Sequence, residues 1–455
     1  MDKSSNTEKV ERPDPDDLQA FLPWACNQLQ LPKDVVIIKT LQNDYVSVVT
    51  TDRKTKGKSR PRLPSVVDDQ EKDEASVSHH PDEADVIRIY AVYDYADNIV
   101  GLRFDKNTNI PRMLMQILGL IIKFQVYLIS LTINRGLNKY VLYEIVKFLP
   151  NSRITDINLD NCFLSEGPYY TLLENTSALR NLSLSRCRIN DQVVALIAAQ
   201  LHHHKPASTT LAVLNLSSNR ITDVGAQSIR EALKTNSKLT YLNLADNFIT
   251  DEGAVAIFSV LLEFPLTPQE LMDFKSRRID YLRKKQATIL QMGKDLRVTD
   301  MVKSKVNKTT PRTMLKAKGK DDITSEKSAC YTDAYFYEKA RAMADSMKPF
   351  KDPYSSENVT YRDGVTYCLG NNTLCQLNLS YNRLSYLSVL KLLEVVVYQR
   401  GSSRKPRGLL NCLVEGNPLP VKCRELAMIE GILEYALSGP PGKRQTAMAG
   451  RRRAK

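Results

Sequence analysis

The chain has 455 residues, 42% of them hydrophobic, which is enough for a large core and for more than one folded unit. Its formal net charge is +13, yet Lys303 to Lys320 holds seven basic and no acidic residues and Lys443 to Lys455 six and none, so these two stretches account for the whole excess. No GxxxxGK[ST], GxGxxG, HExxH or GxSxG occurs and the five histidines lie in two short runs, so phosphate-loop, dinucleotide, zinc-protease and serine-hydrolase chemistry lack their residues.

Residues 1–50 read as an N-terminal extension. From Asp16, the residues Leu18, Phe21, Leu22, Ala25 and Leu29 recur at helical spacing around Trp24, and Pro23 predicts a break or a fresh helix start. Val35 to Ile38 is a short apolar run. Residues 51–85 are rich in Lys, Asp, Glu, Ser and Pro, the composition of an unstructured linker, and His79 and His80 read as solvated within it. Residues 86–125 are expected to form an N-terminal cap on the segment 126–264. VIRIYAVYDY alternates as a strand, GLRFD is its hairpin partner across Asp97-Asn98, and Met113 to about Phe124 is a buried helix. Gln116, Lys123 and Gln125 interrupt the apolar run from Met113 to Ile133, which argues against a membrane span.

Over residues 126–264 one pattern recurs. Leu211, Leu214, Leu216, Asn219, Ile221 and Gly225 line up with Leu239, Leu242, Leu244, Asn247, Ile249 and Gly253, each 28 residues later. Alternation puts Leu214 and Leu216 on one face of a short strand, and the Asn turns inward to satisfy backbone groups of the bend. Ala226, Ile229, Ala232 and Leu233 then recur at helical spacing, matched by Ala254, Ile257, Val260 and Leu261. One such coil cannot bury its apolar residues alone; stacked coils can. Earlier units read Val126, Ile129, Leu131, Asn134; then Ile154, Ile157, Leu159, Cys162, Leu164, Gly167; then Leu179, Leu182, Leu184, Cys187, Ile189. In the last of these, HHHKPAST lengthens the unit to 32 residues, and His202 to His204 read as an exposed helix end. The pattern LxxLxLxxNxIxxxG resembles the leucine-rich repeat, in its long ribonuclease-inhibitor-like subclass. That resemblance implies an α/β fold, a curved solenoid of strand–helix coils, with Cys acceptable at the Asn position.

The period fails over residues 265–373, expected as a basic, partly helical and largely unstructured insertion. Pro265 and Pro268 stop the preceding helix, and QELMDFKSRRIDYLRKKQATILQMGKDL reads as a charged helix. Its Leu282, Ile289 and Leu296 are spaced by seven, too few for a coiled coil. Residues 302–328 are basic with few large apolar groups, and a short helix follows in SACYTDAYFYEKARAMADSM. The repeat returns over residues 374–437: Leu374, Leu377, Leu379, Asn382, Leu384, with a helix face of Val389, Leu392, Val395 and Val396. A last unit has Leu409, Cys412, Val414, Asn417 and Leu419, closed by a helix that turns Leu426, Ile429, Ile432 and Leu433 inward. Residues 438–455 read as an unstructured basic tail.

Cys162, Cys187 and Cys412 fall on interior positions, no CxxC occurs, and no disulfide framework is visible, which fits a reducing, intracellular setting. With no catalytic, cofactor-binding or metal-binding set, function is expected on surfaces. Residues alternating with the buried leucines line the expected concave face: Asp156, Asn158, Asn181, Asn215, Tyr241, Asn243, Gln376 and Asn378 are candidate partner contacts. The plainer reading is that this small polar row suits closely spaced strands, with the Tyr241 ring standing out. Lys303, Lys305, Lys308, Arg312, Lys316, Lys318, Lys320, Arg451, Arg452 and Arg453 are candidates for an acidic partner. The aromatic interleaving of specific nucleic-acid recognition is missing there, and nothing calls for a membrane or a small-molecule substrate.

The layout carries a second resemblance. YLNLADNFITDEGA, VTYRDGVTYCLGNNTLCQLNLSYNRL and the ending EGNPLP, with the long N-terminal extension and the basic insertion before a final LxLxxNR repeat, are similar over residues 86–435 to leucine-rich repeat proteins associated with motile cilia and sperm flagella. That resemblance implies a non-enzymatic scaffold or adaptor of the axoneme, with axonemal proteins as partners and acidic tubulin tails suited to the basic segments. An actin regulator needs an actin-binding helix that Asp16 to Leu31 suggests only faintly. A GTPase-activating leucine-rich protein would favour an acidic C-terminal tail, and this one is basic.

Overall fold

The computed structural model describes residues 12–42, 86–105, 107–175, 177–306, 333–345, 349–420 and 422–438. The chain divides into two compact units, residues 1–262 with 370–455, and residues 263–369.

In the first unit β1 (Asp34–Leu41), β2 (Val86–Tyr93), β3 (Ile99–Phe104), β4 (Ser130–Ile133), β5 (Asp156–Asn158), β6 (Asn181–Ser183), β7 (Val213–Asn215) and β8 (Tyr241–Asn243) follow one another in one sheet. The second unit supplies β9 (Phe264–Pro265), β10 (Val359–Arg362) and β11 (Val365–Cys368), and the first sheet then ends with β12 (Gln376–Asn378) and β13 (Asn411–Leu413). Pairing in the ten-stranded sheet is parallel except for the β2–β3 hairpin. The helices of the first unit are α1 (Leu18–Gln28), α2 (Arg112–Ile121), α3 (Lys139–Phe148), α4 (Asp191–Gln200), α5 (Ala207–Thr210), α6 (Asp223–Thr235) and α7 (Asp251–Ser259). The second unit contributes α8 (Pro268–Val306) and α9 (Asp333–Asp345), and the first closes with α10 (Tyr386–Gly401) and α11 (Arg424–Ser438).

The strands β5 to β8 and β12 are each three residues long, and the central residue is the buried one: Ile157, Leu182, Leu214, Leu242 and Leu377; in β13 the central Cys412, expected at an interior position, is half-buried. Gln376 lies opposite Tyr241 and Leu377 opposite Leu242 in parallel register, so the array continues across the excursion as if residues 263–369 were absent. Asn371 N donates to Val260 O at 2.8 Å, which closes the gap where the chain leaves and returns.

Two side-chain ladders run along the coils. The first is the inward asparagine. Asn219 Nδ2 donates to Leu184 O, Leu216 O and Ser217 O at 2.9–3.1 Å, while its Oδ1 accepts from Cys187 N and Ile189 N of the preceding coil. Asn247, Asn382 and Asn417 repeat the arrangement, and the residue before each of the three inward Asn at 219, 247 and 382 takes a positive φ: Ser218, Asp246 and Tyr381. Cysteine cannot accept in this way. Cys187 Sγ donates to Leu159 O at 3.1 Å, and Leu164 N of the preceding coil turns instead to the buried hydroxyl of Tyr169 at 2.9 Å. Burial pushes the Cys162 and Cys187 thiols up to about 12, so both stay protonated.

The second ladder sits at the helix starts. Asp223 opens α6, and its carboxylate accepts from Thr250 N, Thr250 Oγ1 and Gly253 N at the start of α7, at 2.7–3.0 Å. Asp191 does the same for Thr222 and Gly225. Gly lets the next coil come close here: a Cβ at 225 or 253 would stand 2.6 or 2.4 Å from the Asp191 or Asp223 carboxylate, which would have to shift. At the third step Asp251 reaches across the excursion to Ser385, and Ser388 occupies the Gly place by donating its own hydroxyl.

Several expectations need correcting. The helix at Leu18 does not break at Pro23; α1 runs through it, with Leu18, Phe21, Leu22, Ala25 and Cys26 all buried, a gain that offsets the proline penalty. The apolar run at Val35 is strand β1, paired in parallel with β2 although residues 43–85 separate them. The earliest repeat is misregistered: Leu131 lies opposite Ile157, not Leu159, and the buried set is Leu128, Leu131 and Ile133 while Val126 and Ile129 are exposed. That coil is two residues shorter than the 28-residue spacing demands. Of the closing helix, Ile429 and Leu433 are buried, whereas Leu426 and Ile432 are half-buried. The linker expected at residues 51–85 and the tail at 439–455 lie outside the described residues.

In the second unit β10, β11 and β9 form an antiparallel sheet in that order. The β10–β11 turn has Asp363 and Gly364 both at positive φ, the geometry an Asp-Gly hairpin requires. Leu266, Tyr354 and Cys368 are buried together with Phe264, Leu271, Phe274 and Val359 against them. Asp352, fully buried, takes a bidentate contact from Arg277 of α8 at 2.7 and 3.2 Å and a third bond from Tyr354 N. Farther along α8, Ile289 packs with Ala340 and Ala344 of α9, flanked by Met292 and Leu296.

Candidate interaction surface

The row expected as partner contacts occupies the first and third positions of the repeat strands. Asp156 and Asn158 are on β5, Asn181 on β6, Asn215 on β7, Tyr241 and Asn243 on β8, and Gln376 and Asn378 on β12. All are half-buried except Gln376, which is exposed, and the ring of Tyr241 is half-covered enough for burial to push its phenol up. Most of the polar groups are occupied within the array. Asn158, Asn215, Asn243 and Asn378 each accept from the backbone N–H two residues on, at 2.8–3.1 Å, shaping the bend after the strand. Asn181 donates to Asp156, and Asn215 to Ser183 at 2.9 Å, so neighbouring coils are tied along the row. This face is polar and largely self-satisfied.

A second row was not anticipated. The residue directly after the inward Cys or Asn is exposed in five successive coils: Phe163, Arg188, Arg220, Phe248 and Arg383. Backbone bonds stack these positions, with Arg220 N on Ile189 O, Phe248 N on Ile221 O and Arg383 N on Ile249 O, at 2.8–2.9 Å. Arg188 lies over the Phe163 ring at 5.3 Å and Arg383 over Phe248 at 5.0 Å, yet the rings stay 51% and 43% exposed. Arg186 is exposed beside them. Near-neutrality of the repeats overall therefore conceals a local sorting, with arginines gathered on one edge. Reading the repeats column by column, one place past the Asn, exposes this signal.

Of the basic candidates, Lys303 and Lys305 fall in the last turns of α8, and Lys308, Arg312, Lys316, Lys318, Lys320, Arg451, Arg452 and Arg453 lie outside the described residues. In the histidine run, His202 Nδ1 stands 3.4 Å from Thr235 Oγ1, His202 stacks on His204 at 6.3 Å, and burial lowers the His202 pKa. Among the described residues no group of three or more His, Cys, Asp or Glu is placed to hold a metal ion, and no helix is long and apolar enough to cross a membrane.

Residues 207–229 and 235–258 match the family described as Leucine Rich repeat. No curated protein matches the chain. Among solved structures, "Leiomodin-1 Actin-Binding Site 2 (ABS2)" is similar at 27% identity over 32% of this chain and 93% of that chain, with a TM-score of 0.23, too loose a superposition to support an inference. The coils on β7 and β8 are leucine-rich repeats, a module of protein–protein interaction.

Proposed function

We propose that the chain is a non-enzymatic docking protein of the ciliary or flagellar axoneme, in which the repeat array grips one protein partner and the basic segments reach an acidic one. The turn edge carries the docking reading. Exposed rings flanked by guanidinium groups, on rigid neighbouring coils, are the composition that dominates protein interfaces. Phe163, Arg188, Arg220, Phe248 and Arg383 would seat the partner, and the polar strand face with Tyr241 and Asn243 would form its rim. The axonemal setting rests on the resemblance of the repeats and insertion to proteins of motile cilia. Acidic tubulin tails have the charge to meet Lys303 to Lys320 and Arg451 to Arg453.

Proximity labelling from the full chain in a ciliated cell tests both parts. Axonemal neighbours are expected for the native chain, and Phe163→Ala with Phe248→Ala should remove the dominant one, since anchors of this kind contribute about 2 kcal/mol or more each. A native chain without axonemal neighbours sinks the ciliary reading. Unchanged neighbours in the double variant sink the turn edge.

A further inference from the structure

A cavity at the C-terminal end of the array has its own chemistry. It measures about 810 Å³ and lies between the end of α10, the 402–407 segment and α11. One side is cationic, lined by Arg400, Arg404, Lys405 and Arg407, and no Asp or Glu lines it. The other is one face of α11, where Met428, Ile432 and Tyr435 flank Gly431, whose missing Cβ faces open space.

The arginines differ in their commitments. Arg404 is held by Gly370 O at 3.0 Å and Asn372 Oδ1 at 3.4 Å, so it serves the array. Arg400 gives Nη2 to Leu409 O, but its Nε and Nη1 are buried without a hydrogen-bond partner among the described residues. Buried guanidinium donors left without acceptors are costly, and burial together with Arg407 lowers the Arg400 pKa, so the site favours an incoming anion. With Nη2 on Leu409 O, Nε–H and Nη1–H point to different sides of the guanidinium plane, so a carboxylate takes one of them and turns its second oxygen to Arg407. An inorganic anion would satisfy the arginines but leave Met428, Ile432 and Tyr435 uncovered. A peptide that alternates carboxylates with an apolar side chain covers both walls.

We infer that the cavity between α10 and α11 is a docking site for an acidic, apolar-punctuated segment of a partner protein, with a Glu or Asp carboxylate on Arg400 and Arg407 and an apolar side chain against Met428, Ile432 and Tyr435. This extends the reading of the chain as a docking protein with acidic partners, and places one such contact on the folded array.

The test uses the full chain and a fluorescein-labelled peptide, Gly-Glu-Glu-Leu-Glu-Glu-Leu-Gly, followed by anisotropy. Binding should fall about tenfold or more in Arg407→Gln and in Arg400→Gln. Gly431→Tyr, which fills the apolar wall without touching a charge, should weaken binding similarly and so reports the location even if Arg400→Gln disturbs folding. A chain with the lysines and arginines of Lys303 to Lys320 and Lys443 to Lys455 changed to glutamine should keep most of the affinity. If that chain loses the peptide while Arg407→Gln and Gly431→Tyr keep it, the basic segments bind acid and the cavity proposal is overturned, leaving the broader docking reading intact. Binding of inorganic phosphate or of phosphatidylserine vesicles through Arg400, with no binding of the peptide, also overturns it.

Discussion

Substituting cysteine for asparagine at position 187 removes an acceptor, and the neighbouring coil makes up the loss with Tyr169, whose hydroxyl accepts from Leu164 N and donates to Cys162 O. Tyr169→Phe should therefore cost about 1–3 kcal/mol in denaturant unfolding, the price of an orphaned buried N–H. Cys187→Asn should restore part of that loss in the double variant, and a strictly additive cycle would refute the exchange of roles. Asp251 makes a similar argument through pH. Burial pushes its pKa up, but hydrogen bonds from Ser385 and Ser388 prevail and hold the carboxyl below its usual range. A depressed folded pKa contributes stability above the unfolded value, about 3.9, and loses it as pH falls through the folded one. The stability gap between the native chain and Asp251→Asn should thus be full at neutral pH and shrink below about pH 4. A gap independent of pH would mean that the charge is not what Ser385 and Ser388 recognise.

Among the elements, legibility followed the range of the interaction. The three-residue strands and the inward Asn were readable because period-two alternation and the bend are local: Leu214, Leu216 and Asn219 announce each other within six residues. β1 was not, since its partner β2 lies beyond a gap of residues 43–85 and parallel pairing leaves no turn signal between them. β4 was misplaced because Val126 and Ile129 copy the apolar spacing of a coil they do not belong to. The β10–β11 hairpin, by contrast, carries its sign openly in Asp363-Gly364, but it sits inside a stretch whose charge dominates its composition. The turn edge escaped because a position outside the repeat template draws no notice, although Phe163, Arg188, Arg220, Phe248 and Arg383 all occupy it. At this scale the Arg277–Asp352 pair predicts how the second unit melts. Removing one partner of a buried pair costs about 3 kcal/mol or more. Arg277→Ala should then raise hydrogen exchange in β10, β11 and the first turns of α8, with repeat amides around β7 unaffected; unchanged protection would show that Leu266, Tyr354 and Cys368 suffice to hold the unit.

For the molecule as a whole, the parallel ladder is the organising fact, and the helix-start carboxylates and inward asparagines add a second and third line of attachment between the same coils. β8 and β12 are joined by all three: the Tyr241–Gln376 register, Asn382 on Leu244 O and Ile249 N, and Asp251 on Ser385 and Ser388. Covalent continuity between them is consequently dispensable once folding is complete. A chain cleaved by a protease within residues 307–332 should remain one particle on size exclusion and separate into two fragments only in denaturant. Two pieces expressed apart, ending before and beginning after that cut, should find each other and reconstitute the array. For an evolving gene the same seam is a neutral insertion point, at which segments of new length and charge can enter without changing the spacing of a single coil.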